Sequence, residues 1–230
     1  MSTSTSLPAY KGEFIDFMAR AGVLTFGEFK TKSGRLSPYF VNTGNYRTGA
    51  QMAKLGDYYA ACYMDNIGKP VDTLYGPAYK GIPLVVAAAT ALYRGYGMDL
   101  PFCFNRKEAK THGEGGVMIG RVPQAGDSMV IIEDVITAGT ALRETMEILK
   151  TVAGHINIEA LIIQVDRMER AGGELSAVQQ AQQDFGINVH AIVTVQDIIA
   201  HLYMREIDGK VLIDDAMKAK MEAYLAEYGI

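Results

Sequence analysis

Two acids stand side by side in VIIEDVITAGT, Glu133 and Asp134, directly after the apolar run Val130, Ile131 and Ile132. Such a run is what a strand buried on both faces shows, so the acids fall where that strand leaves the core. Burying two unpaired carboxylates is costly, and a strand end that opens on a crevice explains them better. There they can meet ribose hydroxyls, a hydrated metal ion or a basic side chain. Thr137, Ala138, Gly139 and Thr140 come next, bringing small side chains, two hydroxyls and a run of backbone N–H groups at a helix start. That combination suits a phosphate. On spacing alone, an ordinary strand-to-helix turn with surface acids stays open.

Two further segments carry cations beside glycines. Arg106, Lys107, Lys110 and His112 precede Gly113, Gly115 and Gly116 between two expected strands. By themselves they fit a solvated hairpin at least as well as a site. Gly76 to Gly81 forms a second strand-to-helix turn, with Tyr79 and Lys80 near the helix start, where N–H groups and one cation can hold an anion. No Gly-rich loop ends in Gly-Lys-Ser or Gly-Lys-Thr, which excludes a Walker loop. His112, His155, His190 and His201 have no paired ligand spacing, and no structural zinc is expected.

Apolar periodicity places the elements that must position these residues. Helices are expected over Pro8–Ala21, Thr48–Ile67, Tyr79–Arg94, Ala138–Ala153, Glu174–Phe185, Val195–Arg205 and Asp214–Tyr228. Strands are expected over Val23–Phe29, Pro38–Asn42, Asp72–Tyr75, Phe102–Asn105, Val117–Arg121, Met129–Asp134, Ile158–Asp166 and Val189–Thr194. Alternation of this kind implies an α/β fold with a mostly parallel sheet covered on both faces, whose ligands sit at the carboxyl ends of strands.

The 230 residues, 49% hydrophobic and 21% charged, suffice for one domain spanning residues 1–230. A net charge of -4 gives no electrostatic case for nucleic acid, so any anion site must be local. Cys62 and Cys103 have neither metal nor disulfide-framework spacing, and the polar Met1–Ser6 start does not read as a secretory signal. A reducing cytoplasm fits best. The longest apolar stretch, Ile82–Tyr93, is too short to span a bilayer.

VIIEDVITAGT resembles the ribose-phosphate signature of type I phosphoribosyltransferases. KSGRLSPYFVN at Lys32–Asn42, GPAYKGIP at Gly76–Pro83, FNRKEAKTHGEGG at Phe104–Gly116 and VDRMER at Val165–Arg170 extend the likeness. Together, and in this order, they resemble the orotate phosphoribosyltransferases along nearly the whole chain. The resemblance implies the type I phosphoribosyltransferase fold, with an N-terminal hood over about residues 1–45 and a flexible catalytic loop over about residues 105–116. It also implies transfer of the phosphoribosyl group from 5-phosphoribosyl 1-diphosphate to orotate, giving orotidine 5′-monophosphate and diphosphate, with Mg²⁺, in pyrimidine nucleotide (UMP) synthesis.

Roles follow from the same resemblance. Lys107, Lys110, His112 and Asp134 become catalytic, and the donor is held by Lys32, Tyr79, Lys80, Arg106, Lys107, Lys110, His112, Glu133, Asp134 and the segment Val135 to Ala141. Orotate falls to Phe40, Val41, Thr137 and Arg167. Mg²⁺ is expected chiefly on substrate oxygens, without fixed protein ligands. A homodimer with shared sites is implied, with no nucleic-acid or membrane partner. Glu-Asp replaces the Asp-Asp of some members, and Val41 stands where an aromatic can occur; neither threatens the reaction class. Arg167 and Phe40 argue against a purine acceptor, and the lack of a basic face argues against a regulator that keeps the donor site as a sensor.

Overall fold

The computed structural model describes residues 7–31, 34–110, 116–136 and 139–230. Helix α1 (Ala9–Arg20) leads into β1 (Leu24–Lys30) and β2 (Leu36–Val41), which pair antiparallel as a ribbon of their own, Leu24 opposite Val41. A single 3-10 turn over Thr43–Asn45 then hands the chain to α2 (Gly49–Asn66). That helix starts in a capping box: Gln51 N–H donates to the Thr48 hydroxyl at 3.2 Å, and Thr48 N–H donates to the Gln51 side chain at 3.1 Å.

The order continues through β3 (Thr73–Gly76), α3 (Gly81–Tyr96), β4 (Phe102–Lys110), β5 (Gly116–Gly120), β6 (Ser128–Ile132), α4 (Thr140–Ala153), β7 (Asn157–Asp166), α5 (Ala177–Phe185) and β8 (Val189–Thr194). Helix α6 (Val195–Leu202), a short ribbon of β9 (Glu206–Ile207) and β10 (Lys210–Val211), and α7 (Asp215–Tyr228) follow. Among the described residues, six strands form the central sheet in the order β5-β4-β3-β6-β7-β8, parallel throughout except for β4 with β5.

Alternation within the strands builds two cores. Leu74, Val130, Ile132, Ala160 and Ile162 face the layer that holds α1, α2, α3, α6 and α7, while Tyr75, Met129, Ile131, Leu161 and Ile163 face α4 and α5. Both faces are therefore covered, as the continuous apolar runs require.

Several boundaries differ from the periodicity. Strand β4 does not stop at Asn105 but runs to Lys110, where it faces Gly116 across an irregular register. RKEAK carries no apolar face, so the expected polar loop hid a strand that pairs with β5 without an apolar signature. Helix α4 begins at Thr140 rather than Ala138, with Gly139 in the left-handed region at φ 72°. Helix α5 begins at Ala177 rather than Glu174, because Ser176 forms the capping box, accepting Gln179 N–H at 3.1 Å. Helix α6 ends at Leu202 rather than Arg205, with Met204 left-handed at φ 56° before β9.

Candidate active site

From β3 the chain builds outward through β4 and β5 on one side; from β6 it builds through β7 and β8 on the other. The reversal leaves a crevice beyond the carboxyl ends of β3 and β6, where ligands of open α/β sheets bind. Lys80 follows β3 and Asp134 follows β6. Across the crevice, Lys80 Nζ lies 2.7 Å from Asp134 Oδ2. Thr43 from the 3-10 turn donates its hydroxyl to the same oxygen at 2.7 Å, and Lys80 Nζ donates to Thr43 Oγ1 at 3.2 Å. The other oxygen, Oδ1, accepts Val135 N–H at 2.8 Å.

The pair is asymmetric: the Asp134 side chain is 8% exposed and that of Lys80 is 65%. Burial pushes the Asp134 carboxyl up, but the Lys80 and Thr43 hydrogen bonds and the Lys80 charge outweigh it, and the group stays below the usual carboxylate range. Glu133 moves the opposite way. Burial dominates there and, with Asp134 beside it, raises the carboxyl to about 8 despite a hydrogen bond from Asp134 N–H. Tyr59 from α2 fixes this strand end by donating its hydroxyl to Glu133 O at 2.6 Å.

The turn that carries Lys80 is equally constrained. Gly76 packs against Gly81 so closely that a Cβ at residue 76 would overlap the Gly81 carbonyl oxygen, and one at Gly81 would meet Pro77 Cδ at 2.7 Å. Asn105 on β4 supports the turn, its Oδ1 accepting Ala78 N–H and the Tyr75 hydroxyl, each at 2.9 Å. Tyr79 is 67% exposed, and Lys107 Nζ sits 5.2 Å from its ring centroid. Arg106 Nη1 donates to Gly116 O at 3.3 Å across the hairpin.

Beside Glu133 lies a cavity of about 320 Å³ lined by Val135, Ile136, Gly139, Thr140 and Ala141, with Pro77 opposite. The N-terminus of α4 opens into it, and its first N–H groups have no partner within the helix. Of the expected anion cradle, Gly139, Thr140 and Ala141 line this cavity together with Glu133.

Arg167 follows β7, the strand next to β6. Its guanidinium stacks 4.7 Å from the Tyr39 ring centroid. Its Nε donates to Glu169 Oε1 at 2.8 Å, and its Nη2 lies 2.7 Å from the same oxygen. Nη2 also donates to Ser37 Oγ at 3.3 Å. Burial holds the Tyr39 phenol well above its usual value, so the group remains a donor, to Glu169 Oε1 at 2.9 Å.

The phosphoribosyl transferase domain model matches residues 42–173, from the 3-10 turn past Arg167. Over 221 residues the chain is 50% identical to the orotate phosphoribosyltransferase of Lachnoclostridium phytofermentans, covering 96% of this chain and 98% of that one. The orotate phosphoribosyltransferase of Photobacterium profundum is 46% identical over 224 residues, covering 97% and 100%. The chain belongs to the orotate phosphoribosyltransferases. Among solved structures, the orotate phosphoribosyltransferase of Francisella tularensis matches with a TM-score of 0.82 at 39% identity, covering 95% of this chain and 100% of that one.

Of the residues expected from resemblance to the orotate phosphoribosyltransferases, the fold pairs Lys80 with Asp134, sets Glu133, Val135, Ile136, Gly139, Thr140 and Ala141 around the cavity beside them, and brings Lys107 against Tyr79. Lys32, His112, Thr137 and Ala138 lie outside the described residues, and of Lys110 only the backbone is described. Phe40 occupies the face of β2 opposite Tyr39 and stacks on Phe29 at 5.5 Å, with Val41 half-buried. Contact between β2 and Arg167 runs through Ser37 and Tyr39 instead. Sequence reading missed Thr43, Tyr59, Ser37, Tyr39 and Glu169. Strand alternation beside Phe40 is a signal for Tyr39; Thr43 and Tyr59 carry none, since each meets its partner only through the fold.

Proposed function

We propose that this chain transfers the phosphoribosyl group from 5-phosphoribosyl 1-diphosphate to N1 of orotate, forming orotidine 5′-monophosphate and diphosphate in pyrimidine nucleotide synthesis. The observation that carries the reading is the convergence at the switch point. A buried ionised carboxylate meets its partner lysine there, the start of α4 lines a cavity beside the neighbouring Glu133, and an arginine stands on the next strand end. The named relatives supply the choice of orotate as acceptor.

Breaking the ribose C1–O bond builds positive charge on the sugar and negative charge on the leaving diphosphate, so the protein must hold, neutralise and exclude water. Asp134 and Glu133 take the ribose hydroxyls, and residues 137–141 take the 5-phosphate. Tyr79 and Lys80, with Arg106, Lys107, Lys110 and His112, face the diphosphate, joined by Lys32. In this reading the catalytic loop expected over about residues 105–116 closes over the reactants and keeps water out. Phe40, Val41, Thr137 and Arg167 receive orotate.

Among the described residues no group of three acidic, histidine or cysteine side chains could hold a metal ion. Asp134 is already engaged by Lys80 and Thr43, so the donor set fits Mg²⁺ only as an ion shared with substrate oxygens. When bound, Mg²⁺ neutralises diphosphate charge.

The reading includes a single domain over residues 1–230, a cytoplasmic location and a homodimer with shared sites. Support for the dimer comes from an apolar face on α2 and α3, where Met52, Pro83, Val86 and Ala87 line a groove of about 350 Å³ and Tyr93 is 60% exposed. No helix among the described residues is long and apolar enough to cross a membrane.

The deciding experiment follows the loss of orotate absorbance with 5-phosphoribosyl 1-diphosphate and Mg²⁺, beside uracil, adenine and hypoxanthine. Orotate turnover well above the other bases is expected. Turnover of a purine alone, or of none, would overturn the reading.

A further inference from the structure

Arg167 has its side-chain hydrogens largely committed before any ligand arrives. Glu169 Oε1 takes Nε at 2.8 Å and Nη2 at 2.7 Å, so the Nε–Nη2 edge of the fork is occupied. The second Nη2 hydrogen goes to Ser37 Oγ over a longer 3.3 Å. Nη1 is bonded to no acceptor among the described residues. A carboxylate reaching this guanidinium finds its uncommitted hydrogens on Nη1. It can complete a bidentate contact on the Nη1–Nη2 edge only by displacing the long Ser37 bond.

Glu169 is itself held in place. Its Oε1 accepts the Tyr39 hydroxyl at 2.9 Å, and its Oε2 lies 3.9 Å from Arg35 Nη1, which also donates to Arg170 O at 3.1 Å. The turn between Arg167 and Glu169 passes through Met168 at φ 53°, a left-handed conformation that an L side chain seldom adopts. Three contacts support that conformation. Asp166 accepts Met168 N–H at 2.8 Å, Ile230 N–H donates to Met168 O at 3.1 Å, and Glu169 bridges Gly229. Arg35 and Arg167 share the one Glu169 carboxylate, which leaves the cluster short of one negative charge.

We propose that Glu169 is the positioning residue of the acceptor site, holding Arg167 by one edge so that its Nη1 end presents to the acceptor's carboxylate. The inference rests on the reading of orotate as acceptor and adds how that acid is met. Glu169 touches neither substrate; it acts through Arg167. Holding the fork in advance removes the side-chain ordering that binding would otherwise have to supply.

Steady-state kinetics on the full chain test it. Glu169→Gln keeps the shape of the side chain and removes the charge that orients Arg167. Loss of a charge-assisted pair predicts a rise of about tenfold in orotate KM. The KM for 5-phosphoribosyl 1-diphosphate and kcat should stay within about twofold, because Lys80 and Asp134 lie on other strand ends. Glu169→Asp, which keeps the charge on a shorter stem, should recover most of the loss and leave orotate KM about two- to threefold above wild type. An unchanged or lowered orotate KM, or a parallel shift in every constant, would overturn the positioning role. Should Glu169→Gln fail to fold, Glu169→Asp must still raise orotate KM measurably, and an unchanged value there is equally fatal. Calorimetric titration of orotidine 5′-monophosphate, which carries the same carboxylate, separates this inference from the reaction beneath it. Absence of orotate turnover in every protein overturns the reaction, whereas equal nucleotide affinity in wild type and Glu169→Gln overturns the role of Glu169.

Discussion

Adjacent carboxylates with opposite protonation follow from which of them has a cation. Among the described residues, Asp134 has Lys80 at 2.7 Å and two further donors, while Glu133 stands beside an anion and receives only the Asp134 N–H. One acid is therefore ionised at neutral pH and its neighbour, raised to about 8, is mostly protonated. The stability consequences run in opposite directions. Glu133 has a folded value above its ordinary 4.5, so its contribution is complete below about 4.5 and is lost as pH rises through about 8. Asp134 has a depressed value, so its contribution is present above the ordinary 3.8 and is lost as pH falls through the folded value. Glu133→Gln removes only the first titration. The thermal midpoint of the wild type should therefore fall relative to Glu133→Gln across that window, by several degrees at its alkaline end. Parallel midpoint curves for the two proteins would show that Glu133 does not titrate there.

At the level of elements, the precision of the site comes from turns that have no room to vary. Gly76 is a clear case, since any side chain at that position collides with the Gly81 backbone and with Val85. Gly76→Ala must separate β3 from the start of α3, displacing Lys80 from Asp134. A loss of about 3 kcal/mol in urea unfolding is expected, together with a rise in the KM for the donor. Retention of both stability and donor KM would mean that the turn relaxes freely. These turns were readable as Gly-rich strand-to-helix junctions, and the apolar runs gave the parallel sheet and its two covered faces. Less visible were elements without an apolar signature. The extension of β4 through RKEAK is held by pairing with β5, and β9 and β10 are two residues each. Within the site, Lys80 and Asp134 were legible because both stand at strand ends. Tyr39 and Glu169 were hidden within segments chosen for their neighbours Phe40 and Arg167. Their roles depend on β2 lying beside the end of β7, a contact between residues 130 positions apart.

For the molecule as a whole, sheet order decides where chemistry can occur. The reversal between β3 and β6 brings residues 54 positions apart, Lys80 and Asp134, into contact, and the β4–β5 hairpin extends from the same side of the switch. In this chain Lys107 reaches Tyr79, so part of the cationic hairpin lies over its own crevice. The exposed face of α3, with Val86, Tyr93 and Tyr96, offers a second copy a surface to cover. If the two protomers share sites, Lys110 of one chain serves the Asp134 of the other. Mixing Lys110→Ala chains with Asp134→Asn chains, each nearly inactive alone, would then give heterodimers in which one site carries both defects and the other neither. With random exchange, half of the dimers are mixed, and each recovers one of two sites, so activity should return to about a quarter of wild type. If each chain instead completes its own site, every site in the mixture keeps one defect and no activity returns. Subunit exchange followed by native mass spectrometry establishes that mixed dimers are present, so a mixture that exchanges without regaining turnover excludes shared sites.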